Sequence, residues 1–215
     1  MIDIKIFEFN FVAVNTYLLY DETKESVLID CGCMNQNEEQ TLSDFIEHNN
    51  LQLKRLLCTH LHYDHIVGNA FIHHRYGLEP EAHHADVELL PSARTQMRFM
   101  NVFQFSMPDD INITKYLNEN DKICFGNSEL TIRHVPGHSP GSLAFYNQRD
   151  GFVLTGDALF DDSIGRTDLW GGDYDILMAS IKDKLLTLPD ETVVYPGHGP
   201  STTIIDEKRF NPFLH

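Results

Sequence analysis

Thr59-His60-Leu61-His62-Tyr63-Asp64-His65 sets three imidazoles and one carboxylate within seven residues. Imidazole suits zinc, iron, copper and nickel, and a carboxylate adds a harder oxygen donor. An ordinary core has no use for four such groups side by side, because a polar group buried without a partner costs free energy. The residues just before the stretch place it. Leu53, Leu56, Leu57 and Cys58 are apolar, so Leu53–Thr59 is predicted to be a short buried strand that ends in a polar loop at a sheet edge. Asp64 is expected to cap a helix starting there. Ile66, Ala70 and Phe71 fall at helical spacing, and the helix is expected to continue over Val67–Arg75.

Upstream, Ile2–Phe9 largely alternates apolar and polar, the mark of a half-buried strand. Asn15–Tyr20 and Ser26–Ile29 read as further strands, with Asp21-Glu22-Thr23-Lys24 as the turn between them, and Glu38–His48 as a helix. Downstream, Glu81–His83 reads as a short strand and Asp86–Leu90 as a short helix ended by Pro91. Thr95–Ile113 carries Met97, Phe99, Met100, Val102, Phe103, Phe105 and Met107 without a clean period. Long insertions of this kind are often functional, and this one is expected to cover the core or to form a flap over a pocket. Lys122–Phe125, Glu129–Val135, Ser142–Tyr146 and Phe152–Thr155 are strand-like and separated by turn residues. Asp173 is expected to cap a helix to about Leu188, with Ile176, Leu177, Ile181, Leu185 and Leu188 on one face. Thr192–Tyr195 is a last strand, Asp206–Phe210 a terminal helix, and Asn211–Leu214 an apolar tail. Strands followed by a helix, twice over, suit two sheets packed face to face with helices outside.

The chain has 215 residues, 42 % of them hydrophobic, enough for residues 1–215 to form a single domain with a sizeable core. Its formal net charge of −16 disfavours a nucleic-acid partner. No apolar run approaches the roughly 20 residues of a membrane span, and Ile2–Tyr20 lacks the pattern of a signal peptide. Cys31, Cys33, Cys58 and Cys124 form no CxxC pair, as expected of reduced thiols in a cytoplasmic protein.

Three more polar residues stand where the first cluster stands, just past an apolar strand. His138 sits in Pro136-Gly137-His138-Ser139-Pro140-Gly141, Asp157 follows Val153-Leu154-Thr155-Gly156, and His198 follows Val193-Val194-Tyr195-Pro196-Gly197. Glycine beside each lets the backbone approach closely, so loops at one sandwich edge can converge. The inventory is His60, His62, Asp64, His65, His138, Asp157 and His198. Five imidazoles and two carboxylates exceed what one tetrahedral zinc needs. Two metals sharing a bridging carboxylate would use all seven. His48, His73, His74, His83, His84, His134 and His215 fall outside these motifs and are expected to be structural or solvated.

These motifs resemble the metal-binding signature of the metallo-β-lactamase superfamily, over essentially the whole chain and in the family's order, with Asp30 after the third strand. The resemblance implies an α/β (α+β) fold, the four-layer αββα sandwich. It also implies that His60, His62 and His138 hold one ion, that Asp64, His65 and His198 hold a second, and that Asp157 bridges them. Within the superfamily, Gly137–Ser142, Gly156-Asp157-Ala158-Leu159-Phe160, Gly165-Arg166, Gly197-His198-Gly199 and Asn211-Pro212-Phe213 resemble the glyoxalase II (hydroxyacylglutathione hydrolase) group. The basic residue matching Arg166 there helps hold the substrate's thiol conjugate. A salt bridge to Asp161, Asp162 or Asp168 is the alternative. The full-length enzyme adds a C-terminal helical domain whose basic residues grip glutathione, whereas only Lys208 and Arg209 follow His198 here, so the resemblance is to a form without that domain.

The expected activity is hydrolysis of a small-molecule thioester such as S-D-lactoylglutathione by a metal-bound hydroxide. Two divalent ions are expected, zinc first, with iron or manganese also fitting the donors. Asp64 and Asp157 are the expected catalytic carboxylates, Asp64 also orienting the attacking water. Asp30 is expected to accept an imidazole N–H and fix its tautomer. The alternatives are a mononuclear-iron persulfide dioxygenase, which would use His60, His138 and Asp157, and a lactone hydrolase with the same two-metal chemistry. A β-lactamase is disfavoured by the missing export signal.

Overall fold

The computed structural model describes residues 1–91, 113 and 115–215. Its first sheet grows from a hairpin. β1 (Asp3–Phe9) pairs antiparallel with β2 (Val14–Tyr20), and β3 (Glu25–Ile29) lies antiparallel to β2. The chain then crosses over through α1 (Gln36–His48) and returns as β4 (Gln52–Leu57), parallel to β3. β5 (Pro80–Ala82) and β6 (Lys115–Tyr116) extend the sheet in parallel. The second sheet starts as an antiparallel meander of β7 (Lys122–Phe125), β8 (Ser128–His134), β9 (Leu143–Asn147) and β10 (Phe152–Gly156). A small hairpin of β11 (Leu159–Phe160) and β12 (Ser163–Ile164) follows. A helical crossover leads to β13 (Val193–Pro196), parallel to β10, and β14 (Thr202–Thr203) closes the sheet. Among the described residues the orders are β1-β2-β3-β4-β5-β6 and β14-β13-β10-β9-β8-β7.

The period of two in each strand decides the layers. Tyr17, Leu19, Val27, Ile29 and Leu57 point from the first sheet onto Ile123, Phe125, Leu130, Ile132, Phe145 and Leu154 of the second. On the far side of the first sheet, Leu18, Leu28 and Leu56 pack against Leu42 and Ile46 of α1. On the far side of the second, Ala144, Val153 and Val194 pack against Leu177, Ile181 and Leu185. The αββα sandwich expected from the sequence is the fold observed.

Four local expectations are corrected. Asp64 is not a cap: His62 holds the cap position of α2 (Tyr63–Ile66), and the Asp64 carboxylate turns toward His198 instead. Nor does that helix run on. The Gly68 N–H donates to the Cys31 carbonyl at 2.9 Å, which breaks the helical ladder, and α3 (Asn69–Tyr76) starts anew. Asp173 does cap α4 (Tyr174–Ser180), accepting the Ile176 N–H at 3.0 Å. From Ile181 to Leu185 that helix widens to a π turn, with the Leu186 N–H reaching the Ile181 carbonyl. Ile176, expected on the inner face, is 48 % exposed. The tail after α5 (Ile204–Phe210) is held by an amide as well as by apolar packing, for which Leu214 but not Phe213 turns inward. Asn211 is buried and donates to the Ser163 carbonyl and the Glu207 carboxylate, while Phe213 is 45 % exposed. The expected insertion or flap at Thr95–Ile113 lies outside the described residues apart from Ile113, which is buried. No helix among the described residues is long and apolar enough to cross a membrane.

The helix phase gives a direct test. Leu177→Ala should lower the unfolding free energy in urea by about 2–5 kcal/mol, while Ile176→Ala should stay within about 0.5 kcal/mol. Equal losses would mean that α4 is packed in a different phase.

Candidate metal centre

Every predicted ligand lies just beyond the C-terminal end of a strand. β4 leads to His60, His62, Asp64 and His65, β8 to His138, β10 to Asp157 and β13 to His198. Strands of both sheets therefore deliver side chains to one edge of the sandwich. Two turns there need glycine. Gly137 has φ +127°, and a side chain on it would run into the backbone of Leu177. A Cβ on Gly197 would strike Asp157 Oδ1 and His65.

The seven residues meet. His62 Nδ1 lies 2.9 Å from His138 Nε2, which is 3.3 Å from His60 Nε2. His65 Nε2 lies 3.3 Å from both His198 Nε2 and Asp157 Oδ1. Asp157 Oδ2 is 3.6 Å from His138 Nε2 and from His198 Nε2, so this carboxylate stands between the two groups. Asp64 Oδ2 is 3.4 Å from His198 Nε2 and 3.7 Å from His65 Nε2. One cluster that could hold an ion is His60, His62 and His138, and another is Asp64, His65 and His198.

The outer nitrogens fix the tautomers. His138 Nδ1 faces the Arg166 carbonyl at 2.8 Å, and His198 Nδ1 faces the Val12 carbonyl at 3.0 Å. His65 Nδ1 faces Asp30 Oδ2 at 2.9 Å. His60 Nδ1 faces Thr59 Oγ1, whose own proton goes to Asp30 Oδ2 at 2.6 Å. Each of these four nitrogens must donate, which leaves each Nε2 as a lone pair aimed inward. With the rings neutral these lone pairs face one another at about hydrogen-bond distance with no proton to share, and Asp157 Oδ1 and His62 Nε2 are buried without hydrogen-bond partners. That donor set fits metal cations.

The charges agree. Burial and the neighbouring His138 imidazole hold the His62 pKa down to about 4, and burial with His65 holds His60 well below the ordinary imidazole value. Burial opposes a charge on His65, yet Asp157, Asp64 and Asp30 push its pKa well above that value. Three carboxylates thus call for positive charge at that point. Burial likewise opposes charge on Asp157, but His65, His138 and His198 hold its carboxyl well below the carboxylate range.

Asp30 stands where the sequence places it, behind His65. Its other oxygen accepts the Thr59 N–H at 2.7 Å. Arg166 contributes its backbone carbonyl to His138. Its guanidinium, 61 % exposed, is paired with Asp168 at 2.7 and 2.8 Å. Two scaffold residues escaped the sequence reading. Asn10 Nδ2 holds the carbonyls of Gly32 and Asp64, each at 3.1 Å. Asn15 Nδ2 holds the carbonyls of Pro196 and Gly199, either side of His198, at 3.0 and 2.8 Å. For Asn15 the available signal was an asparagine near the head of a largely apolar strand, where it is disfavoured; Asn10, in the turn after β1, carried no such signal. His134 lies at the end of β8, stacked on His83 with ring centroids 4.2 Å apart.

A model of the metallo-beta-lactamase superfamily matches residues 9–198. The hydroxyacylglutathione hydrolase GloC of Haemophilus influenzae is 36 % identical over 206 residues, covering 94 % of this chain and 92 % of its own. Among solved structures, the BLEG-1 B3 metallo-beta-lactamase superposes with a TM-score of 0.88 at 33 % identity, covering 100 % of this chain and 99 % of its own. A di-iron-bound form of TTHA1623 does so with a TM-score of 0.84 at 36 % identity, covering 98 % and 100 %.

Asp30→Asn removes the acceptor that holds two imidazoles in register, directly for His65 and through Thr59 for His60. Metal affinity of the stripped protein, measured against a chromophoric chelator, should fall roughly 10- to 100-fold. Unchanged affinity would remove Asp30 from the tautomer-fixing role.

Proposed function

The chain belongs to the metallo-beta-lactamase superfamily, and from that premise we propose that its centre holds two divalent ions and hydrolyses thioesters of the S-D-lactoylglutathione kind. The observation that carries this reading is the inward convergence of lone pairs on two points that share Asp157. His60, His62 and His138 would hold one ion, Asp64, His65 and His198 the other, and Asp157 both. Such ions would supply an acidified water and polarise the substrate carbonyl. The chain's own residues do the rest. The outer partners keep His60, His65, His138 and His198 in the tautomer that donates the inner lone pair. Asp64, 15 % exposed at the solvent side of the cluster, orients the attacking water through Oδ2. Arg166 lies beside the His138 turn, and its guanidinium reaches a substrate carboxylate by exchanging it for Asp168.

The likeness to GloC supports the thioester substrate. Zinc, iron and manganese all suit His/Asp donors, and the di-iron form of TTHA1623 supports iron beside zinc. A mononuclear-iron persulfide dioxygenase using His60, His138 and Asp157 is the weaker reading, since His62, Asp64, His65 and His198 would converge to no purpose. The likeness to BLEG-1 favours β-lactam opening as a second reading, because it needs the same attack on a carbonyl. A lactone hydrolase would share the centre and differ in the pocket.

The test is elemental analysis of the purified protein combined with turnover of S-D-lactoylglutathione, a lactone and a β-lactam. Two metal atoms per chain and selective thioester cleavage are expected. One iron per chain with oxygen uptake would replace this reading by the oxygenase. Two metals with only lactone or β-lactam turnover would move the substrate while leaving the centre.

A further inference from the structure

Asp86 lies outside every motif of the ligand set. It sits in a 3-10 turn, His84–Leu89, that follows β5, and it is fully buried. Its Oδ2 accepts the Leu61 N–H at 3.1 Å and the Ser139 hydroxyl at 2.8 Å, and its Oδ1 accepts the Gly141 N–H at 2.5 Å. Leu61 lies between His60 and His62, and Ser139 follows His138. One carboxylate thus grips the two loops that bring three histidines together, at residues adjoining all three. Ser142 steadies the arrangement. Its Oγ accepts the Ser139 N–H at 3.2 Å and donates to Ser139 Oγ at 2.7 Å, since the Ser139 proton is engaged by Asp86.

Charge points the same way. The cluster of Asp64, His65 and His198 has its own carboxylate, shares Asp157 and has Asp30 behind His65. The cluster of His60, His62 and His138 has no carboxylate of its own among the three, shares Asp157 and reaches Asp30 only through Thr59. Asp86 is the carboxylate buried between its two loops: burial pushes its pKa up, and the hydrogen bonds from Ser139, Gly141 and Leu61 work against that rise. Asp30, Asp64, Asp86 and Asp157 together would offset the charge of two divalent ions, and a buried ion without counter-charge is costly.

We propose that Asp86 is the positioning residue of the three-histidine site, holding the His60–His62 loop and the His138 turn in ligating register and supplying that site's counter-charge. This rests on the two-ion reading given above. The chemistry requires a carboxylate. All three partners are donors, and Asp offers acceptors at both oxygens, whereas Asn would set an NH2 against an N–H or O–H.

The test reads metal affinity, not turnover. Chelator-stripped protein is titrated with Zn(II) against a chromophoric competitor in two backgrounds. His198→Ala leaves the three-histidine site as the better one, and His62→Ala leaves the other. Asp86→Asn should weaken Zn(II) binding roughly 10- to 100-fold in the His198→Ala background and by less than about 2-fold in the His62→Ala background. Equal weakening in both, which a merely structural residue would cause, or no weakening in the first overturns the proposal. If Asp86→Asn does not fold, Ser139→Ala removes one of the three donors and should give a smaller loss with the same site preference; a loss without preference overturns it. Wild-type protein that takes up a single Zn(II) would sink the two-ion reading, while the His198→Ala comparison would still judge Asp86.

Discussion

Imidazole lone pairs that face one another at hydrogen-bond distance, with their protons committed elsewhere, repel. This constraint governs the molecule. His60 and His138 approach to 3.3 Å, and so do His65 and His198. While these rings are neutral no proton lies between them, because the outer nitrogens of His60, His65, His138 and His198 each face an acceptor. Positive charge at its centre would relieve that repulsion. Much of the surrounding structure holds it in place against that repulsion, with Asp30 and Thr59 below, Asn10 and Asn15 at one side, and the Arg166 carbonyl at the other.

The sandwich makes such an arrangement possible. A strand end is a rigid launching point, and three of the four strands that the ligand loops leave have cores against both faces. β4 is covered by α1 on one side and the second sheet on the other. β10 and β13 are covered by the first sheet and by the α4 layer. The loops need not be stiff in themselves. They are short and start from fixed points, and turn glycines let Gly197 lie against Asp157 where a larger residue would not fit.

The ligand set was legible in the sequence for a simple physical reason. Histidine and aspartate past the end of an apolar strand have no packing purpose, so His60, His138, Asp157 and His198 stand out one by one. The long strands and both crossover helices were legible through their periods. The two-residue strands β6, β11, β12 and β14 were not, because backbone pairing that short leaves no side-chain pattern. The phase of α4 was misjudged at Ile176, because Leu177, Ile181 and Leu185 already form the buried stripe at spacing four and the π widening has no signature in Lys182-Asp183-Lys184. Asp86 was invisible for another reason. An acid in a short polar turn reads as solvated surface, and only the fold brings Leu61, Ser139 and Gly141 around it.

The division of the ligands between the sheets has a further consequence. His60 to His65 belong to the first sheet's half of the chain, and His138, Asp157 and His198 to the second. His62 and His138 are 76 residues apart, and His65 and His198 are 133 apart. Ions gripped from both halves would act as staples across very long loops, where loop closure restricts the unfolded chain most. All four cysteines are free thiols, so no disulfide does this work. His198 follows β13, so the last clasp closes only after the second sheet has formed. An ion bound by both halves would favour the assembled sandwich over a chain whose last strands are not in place.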